Sequence, residues 1–353
     1  MDLIVPLRDA PRQSANAVGG KAIALARLAG QGLPVPDGLV VPAAIYRHYV
    51  ETTGLGTRLA LELNRKAFED MRWEEIWDAS LRIRNFFLRT PIPNNLRSRL
   101  ADALDERFEG RPTVVRSSAP GEDAGDSSFA GLHASFVNVT GADSILDHIK
   151  LVWASLWSDA ALLYRRELDL DVEHSAMAVI VQALVQGRSS GVAFSQHPDK
   201  PDQAIVEAVH GLNQGLVDGT VTPDRWMLDR KSGRIIEHVP AERETAMRAH
   251  ADGVALEPLN PDMADQPPLI ESEVLDVHAL ATRAEALFGA PQDVEWTMRD
   301  SELLFLQSRP ITTLQTQDHQ DRRAWYRTLS RTFENLKRLR GRIEKELVPG
   351  MVQ

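Results

Sequence analysis

Cysteine is absent from the 353 residues. That excludes disulfides, thiolate nucleophiles and cysteine-ligated metal, and a chain without it reads as cytoplasmic. Long hydrophobic runs are absent too: no stretch approaches the roughly 20 apolar residues that a membrane helix needs, so no membrane role is expected. The segment Met1 to Ala10 carries Asp2 and Asp9 and lacks the apolar run of a signal peptide. Basic charge is in deficit, with 40 Lys and Arg against 50 Asp and Glu, for a net charge of −10. Phosphate backbones require clustered cations, so no nucleic-acid partner is expected. Neither an internal repeat nor a low-complexity tract occurs.

Hydrophobic residues make up 43% of the chain, which at this length supplies core for two or three packed units. The charge is uneven. Asp321 to Glu346 holds nine basic and four acidic residues, leaving the rest of the chain near −15. Within that basic end, Trp325, Leu329, Phe333, Leu336, Leu339, Ile343 and Leu347 fall at steps of 4, 4, 3, 3, 4 and 4, the stripe of one amphipathic helix. Such a helix docks on its own module or on a partner's acidic surface.

Upstream, Ala22 to Gln31 is a predicted helix stopped by Gly32 and Pro34, and Leu39 to Val41 a short buried strand. Residues 43–110 are predicted mostly helical, with Trp73, Ile76, Trp77, Leu81, Ile83, Phe86 and Phe87 as core candidates. The texture changes at Thr113. Strands are expected at Val114-Val115, Ala176 to Leu184, Gly191 to Phe194 and Ala204 to Ala208, with one helix from Ser144 to Arg166. Gly253 to Pro268 reads as a surface excursion or linker. A helix from Glu273 to Phe288 precedes a hairpin made of Val294 to Met298 and Leu303 to Leu306. This irregular mixture favours α+β over a doubly wound sheet. Three regions result: a helix-rich lobe at 1–112, a mixed region at 113–314 and an amphipathic helical tail at 315–353.

Four segments carry candidate chemistry. Gly19-Gly20-Lys21 opens a helix, where free amides and a mobile cation suit phosphate; a glycine turn before a buried helix accounts for the same residues. Arg116 ends a strand before the loop from Ser117 to Gly131, and an arginine fork with loop amides suits phosphate oxygens; a solvated serine-glycine loop is the alternative. Gln182 ends an apolar strand, where it either reads a nucleobase or satisfies a strand end. Finally, the hairpin turning at Asp300 to Glu302 pairs Glu295 with Gln307 and Asp293 with Arg309, if the turn is odd in length. Directly opposed side chains lie roughly 5 Å apart. A carboxylate beside an amide oxygen is a hard-oxygen site suited to Mg²⁺, and a surface hairpin with an ion pair is the alternative. Together the four segments supply a cation, a phosphate fork, a base reader and a metal site, the inventory for Mg-ATP.

Five ordered motifs carry a resemblance. They are Gly19-Gly20-Lys21-Ala22 with Gly32-Leu33-Pro34-Val35-Pro36-Asp37-Gly38; Val115-Arg116-Ser117-Ser118 with Glu122-Asp123 and Ser128-Phe129-Ala130-Gly131; Val221-Thr222-Pro223-Asp224; Asp293-Val294-Glu295-Trp296; and Leu306-Gln307-Ser308-Arg309-Pro310-Ile311. Over about residues 14–313 the chain resembles the N-terminal ATP-binding module of the phosphoenolpyruvate synthase and pyruvate phosphate dikinase family, which includes rifampin phosphotransferase. The resemblance implies an ATP-grasp fold with ATP between two lobes. It also implies conversion of ATP to AMP and phosphate, with the β-phosphoryl passed to a histidine and onward to a small-molecule acceptor. By position, Lys21, Arg116 and Arg309 contact phosphates and carry the catalysis, Gly131 and Ser135 belong to the phosphate loop, Gln182 lies near adenine, and Glu295 and Gln307 hold Mg²⁺.

The sequence departs from that pattern in places. None of the ten histidines stands in the family's Thr-Ser/Cys-His-Ala phosphohistidine setting. Gly211-Leu212-Asn213-Gln214 replaces the usual Gly-Leu-Gly-Glu, so Gln214 removes a charge. Phe194-Ser195-Gln196-His197-Pro198 lacks the basic residue of the common Phe-Thr-Arg-x-Pro. The expected role is therefore an ATP-binding subunit whose phosphoacceptor histidine lies on a partner chain or a further domain. It is similar to the small subunit of a split dikinase such as phenylphosphate synthase, whose acceptor is a phenol. A truncated module of a phosphoenolpyruvate synthase or rifampin phosphotransferase-like enzyme, and a non-catalytic nucleotide sensor, are the alternatives.

Overall fold

A computed structural model describes residues 3–67, 70–119, 132–167, 172, 175–251 and 253–311. The expected helical tail at 315–353, and most of the loop from Ser117 to Gly131, lie outside the described residues. In chain order the first elements are β1 (Val5–Pro6), a 3₁₀ turn at Leu7–Arg12, α1 (Ala15–Val18), α2 (Gly20–Gly30), β2 (Gly38–Val41), α3 (Ala43–Thr52), α4 (Leu55–Leu63), α5 (Trp73–Arg89) and α6 (Asn94–Phe108). There follow β3 (Thr113–Ser118), β4 (Ser135–Val139), α7 (Ala142–Ser155), α8 (Asp159–Glu167), β5 (Ala178–Ala183), β6 (Ser189–Phe194) and β7 (Gln203–His210). The last are α9 (Gln214–Val217), β8 (Asp224–Asp229), β9 (Ile235–Val239), β10 (Thr245–His250), β11 (Gly253–Pro258), α10 (Pro261–Ala264), α11 (Glu271–Phe288), β12 (Gln292–Arg299) and β13 (Glu302–Pro310). Helices and strands are mixed irregularly, as an α+β chain requires.

Two antiparallel sheets organise these elements. A five-stranded sheet runs β1-β2-β5-β3-β4 and a six-stranded sheet runs β13-β12-β6-β7-β8-β9, with β10 and β11 forming a separate pair. Each sheet has its own core. The first core gathers Val40, Val115, Val179 and Val181 with the buried faces of α3 to α7. The second packs Val206, Trp226, Val294 and Trp296 against Val274, Val277 and Ala281 of α11. The change of texture at Thr113 therefore marks a strand of the first sheet, while the division between cores falls between β5 and β6. Helix α2 belongs to both: Ala22, Leu25 and Ala26 enter the first core, and Leu28 enters the second with Leu33. A backbone bond from Phe305 N to Pro34 O, 2.8 Å, fastens the loop after α2 to β13.

Three sequence expectations change. In α5 the residues that turn inward are Ile76, Ala79, Ser80, Ile83 and Phe87, because steps of three and four place those on one face. Trp73, Trp77 and Leu81 instead stand 42%, 44% and 37% exposed. The helix expected from Ser144 to Arg166 breaks at Leu156 to Ser158, where the Ser158 hydroxyl accepts from Ala161 N at 3.2 Å and caps α8. The excursion expected from Gly253 to Pro268 contains β11, paired residue for residue with β10 from Gly253 opposite His250 to Pro258 opposite Thr245. Its prolines lie at or beyond the end of that strand, where they cost no ladder hydrogen bond.

Candidate functional site

Lys21 is the second residue of α2, and Gly19 is why it comes close to β3. Gly19 adopts φ +79°, and a Cβ there would lie 2.1 Å from the Ser118 carbonyl oxygen. Only glycine permits this approach. The Ser118 hydroxyl secures it, donating to Val18 O at 2.8 Å and accepting from Ala22 N at 3.2 Å. Lys21 Nζ donates to Ser117 Oγ at 3.4 Å. The cation therefore stands beside the end of the strand that carries Arg116.

Arg116 spans the space between the sheets. From β3 it reaches β12 and β13: Nη1 donates to Leu306 O at 2.7 Å, and Nη2 to Gln307 Oε1 at 2.8 Å and Glu295 Oε2 at 3.2 Å. The Arg116 and Glu295 side chains are 14% and 16% exposed. Glu295 pairs with Gln307 and Asp293 with Arg309, as the sequence suggests, but the register is reached differently. Arg299 lies opposite Glu302, so the turn has two residues, with Asp300 at φ +53°. A bulge between Glu295 and Trp296 then leaves Leu306 without a partner on β12. A bulge adds one residue to one strand and re-aims the side chains beyond it. Here the extra residue is the one whose carbonyl accepts from Arg116.

Arg309 is held by Asp293, with Nε and Nη2 donating to the same carboxylate oxygen at 2.8 and 2.7 Å. Burial pushes the Asp293 carboxyl up, against the pull of Arg309. Ser135 opens β4 directly opposite Arg116 and is exposed. Gln182 is opposite Val114, two residues before Arg116, and so on the Arg116 face of the sheet. It is buried, and its amide donates to Pro36 O at 3.0 Å. The structure thus brings Arg116, Glu295 and Gln307 into direct contact, with Ser135 opposite Arg116 on β4, Arg309 one row further along the hairpin, and Lys21 at the neighbouring Ser117. Gly131 lies outside the described residues.

The sequence reading does not place Asn213 in the site. Asn213 follows β7 and is 7% exposed. Its Nδ2 is 3.4 Å from Glu295 Oε2, and its Oδ1 is buried with no hydrogen-bond partner among the described residues. The backbone carbonyl of the neighbouring Gln214 accepts from the Asp218 backbone amide at 2.9 Å, its side-chain Oε1 is buried with no hydrogen-bond partner among the described residues, and burial raises the Asp218 carboxyl. Among the described residues no group of three or more His, Asp and Glu could hold a metal. The residues nevertheless fit a hard cation. Glu295 Oε2 and Gln307 Oε1 converge on one charged nitrogen of Arg116, so the guanidinium marks a place where positive charge is stabilised. A Mg²⁺ ion takes few protein oxygens and completes its shell with water and phosphate.

The profile of the pyruvate phosphate dikinase AMP/ATP-binding domain matches residues 15–328. The chain belongs to this family. It is 32% identical over 310 residues to the probable phosphoenolpyruvate synthase of Methanothermobacter thermautotrophicus, an alignment covering 86% of this chain and 45% of that protein. It is 35% identical over 348 residues to the phosphoenolpyruvate synthase of Aeropyrum pernix, covering 88% of this chain and 42% of the relative. The rifampicin phosphotransferase of a Streptomyces species is 34% identical over 316 residues, covering 88% of this chain and 36% of the relative. The chain therefore spans less than half the length of these relatives. The matched region of the dikinase family contains every candidate site residue. No described helix is long and apolar enough to cross a membrane.

Proposed function

We propose that this chain binds Mg-ATP between its two sheets, in an ATP-grasp arrangement, as the nucleotide module of a dikinase-type phosphotransferase. The observation that carries the reading is the convergence of Arg116, Glu295 and Gln307 from two separate sheets on one point. Lys21 stands at the same strand end. Bound there, Mg²⁺ supplies charge neutralisation for adjoining phosphate oxygens. Arg116, released from Glu295, forks onto phosphate oxygens, and Lys21 adds a point charge from the start of α2. Arg309, already oriented by Asp293, presents its outer edge to the same phosphates. Gln182, on the Arg116 face, lies where it can meet the adenine. In the reaction, the β-phosphoryl passes to a histidine on a further domain or a partner chain; its bond to the α-phosphate breaks to leave AMP, and its bond to the γ-phosphate breaks with water taking the γ-phosphoryl as inorganic phosphate. A small-molecule acceptor, a phenol among the candidates, then takes it from that histidine.

Calorimetry on the wild type, Glu295→Ala and Arg309→Ala tests the site. The expected result is Mg-dependent ATP binding that each substitution weakens tenfold or more, about 1.4 kcal/mol. Unchanged binding in both variants would remove the residue assignments. A second reading, a nucleotide sensor without transfer, draws on Gln214, a neutral amide whose Oε1 is buried with no hydrogen-bond partner among the described residues. Label from β-³²P-ATP separates the two. Label appearing on a histidine domain taken from a phosphoenolpyruvate synthase supports transfer, and binding without label supports the sensor.

A further inference from the structure

We propose that Asn213 supplies a third protein oxygen to the divalent-cation position formed by Glu295 and Gln307, and so fixes how many waters the ion keeps. The proposal rests on the nucleotide-site reading above. Asn213 arrives from a different part of the fold than the hairpin that bears the other two oxygens. Its backbone is held firmly: Leu212 N donates to Met247 O at 2.9 Å, and the Asn213 carbonyl accepts from Leu216 N at 3.1 Å and Val217 N at 3.0 Å. The side chain is buried at 7% exposure and directed at the Glu295 carboxylate.

Its hydrogen bonding is poor for so buried an amide. The bond to Glu295 Oε2 is 3.4 Å, near the limit of the interaction. Oδ1 has no partner among the described residues, although buried side-chain acceptors are nearly always satisfied. A half-turn of the amide exchanges its two ends and sets the oxygen against the carboxylate. Two acceptor oxygens at that separation repel one another unless a cation lies between them. Adjacent oxygens around an octahedral Mg²⁺ lie about 3 Å apart, close to the observed spacing. The ion thus gives the Asn213 oxygen a partner, with the amide nitrogen taking the place Oδ1 leaves, and neutralises Glu295 when Arg116 leaves it.

The test uses the full chain with Mn²⁺ as the spectroscopic substitute and β,γ-imido-ATP as the nucleotide. Electron paramagnetic resonance titration gives the Mn²⁺ affinity, and pulsed measurements in ¹⁷O-enriched water count the coordinated waters. Asn213→Ala is expected to weaken Mn²⁺ binding about tenfold and to add one coordinated water. Asn213→Asp is expected to bind Mn²⁺ more tightly than the wild type with the wild-type water count. Thermal melts establish that each variant is folded, and Asn213→Ser replaces Asn213→Ala if the latter is not. An unchanged water count in Asn213→Ala, or an Asn213→Asp variant that weakens Mn²⁺ binding, overturns the proposal, since a mere donor to Glu295 behaves that way. If Glu295→Ala abolishes binding while Asn213→Ala leaves it intact, only the role of Asn213 falls. Absence of Mn²⁺-nucleotide binding by the wild type overturns the site reading and this inference together.

Discussion

Replacing Arg116 with alanine should move metal binding and nucleotide binding in opposite directions. The Arg116 guanidinium lies 3.2 Å from Glu295 Oε2 with both side chains largely buried. At an effective dielectric of about 20, a unit pair at that distance is worth ~5 kcal/mol. Desolvation of both groups cancels part of this, and a remainder of about 2 kcal/mol corresponds to a factor of ~30 in affinity. Bare Mn²⁺ must displace the guanidinium in the wild type but meets an uncompensated carboxylate in Arg116→Ala. The variant should therefore bind Mn²⁺ without nucleotide about 30-fold more tightly. It should bind Mg-ATP ~10- to 100-fold more weakly, because a charge-assisted bond to phosphate is worth about 1.5–3 kcal/mol. Arg116→Lys, which keeps the charge and loses the fork, should fall between. The assays are Mn²⁺ titration by electron paramagnetic resonance without nucleotide, and calorimetry with Mg-ATP. Bare-metal affinity that does not change, or two affinities that fall together, would refute the idea that Arg116 holds the place of the cation.

Other perturbations follow from the packing. Leu28→Ala, at a fully buried position of the second core, should cost about 3 kcal/mol in urea unfolding. Gly19→Ala should cost several kcal/mol and displace the start of α2, since its Cβ meets Ser118 O at 2.1 Å; a backbone amide shift at Lys21 in NMR spectra reports the displacement. Burial raises the fully buried Asp224 carboxyl, but hydrogen bonds from Arg243, His238 and the Ala241 amide outweigh it, so its pKa falls below the usual range. A depressed carboxyl stabilises the fold above its unfolded pKa of about 3.9 and loses that contribution as pH falls through the lower folded value. Asp224→Asn should accordingly cost about 3 kcal/mol at pH 7, with the gap to wild type closing under acid. Burial lowers the pKa of His278. Its unfolded form therefore takes up protons first, and stability should decline as pH drops below about 6.5. In His278→Gln, urea midpoints between pH 7 and pH 5 should fall less steeply.

Local chemistry makes much of the site legible in the chain itself. The hairpin that carries Glu295, Gln307, Asp293 and Arg309 is readable in the chain, but its register is not: the two-residue turn alone would set Glu295 against Leu306, and the bulge after Glu295 produces the expected pairs. Gly19 announces a close approach, and the start of β3 is readable as a buried strand leading to Arg116, although the strand runs on through Ser117 and Ser118, which the sequence assigns to a loop. Periods of two and of three to four identify most strands and helices, because a side chain's face depends on near neighbours alone. What α5 buries was legible in the same way, but bulk misleads: Trp73 and Trp77 are large yet lie off the inward face, which Ile76, Ile83 and Phe87 occupy.

Only the tertiary structure decides the rest. The bulge leaves Leu306 without a partner on β12, and its carbonyl accepts from Arg116, 190 positions away. The division into two cores shared by α2 depends on which strands pair, and pairing joins β2 to β5 and β12 to β6 across long stretches of chain. Asn213 is visible in the sequence only as the residue that replaces the second glycine of Gly-Leu-Gly-Glu, which says nothing of what it meets. It becomes part of the site because the turn after β7 is tied to Met247 and delivers a buried amide to Glu295. Residue types and their spacing thus determined which groups could handle a phosphate and a cation. Long-range pairing decided which of those groups meet, since contact between distant segments is a property of the closed fold and not of any local stretch.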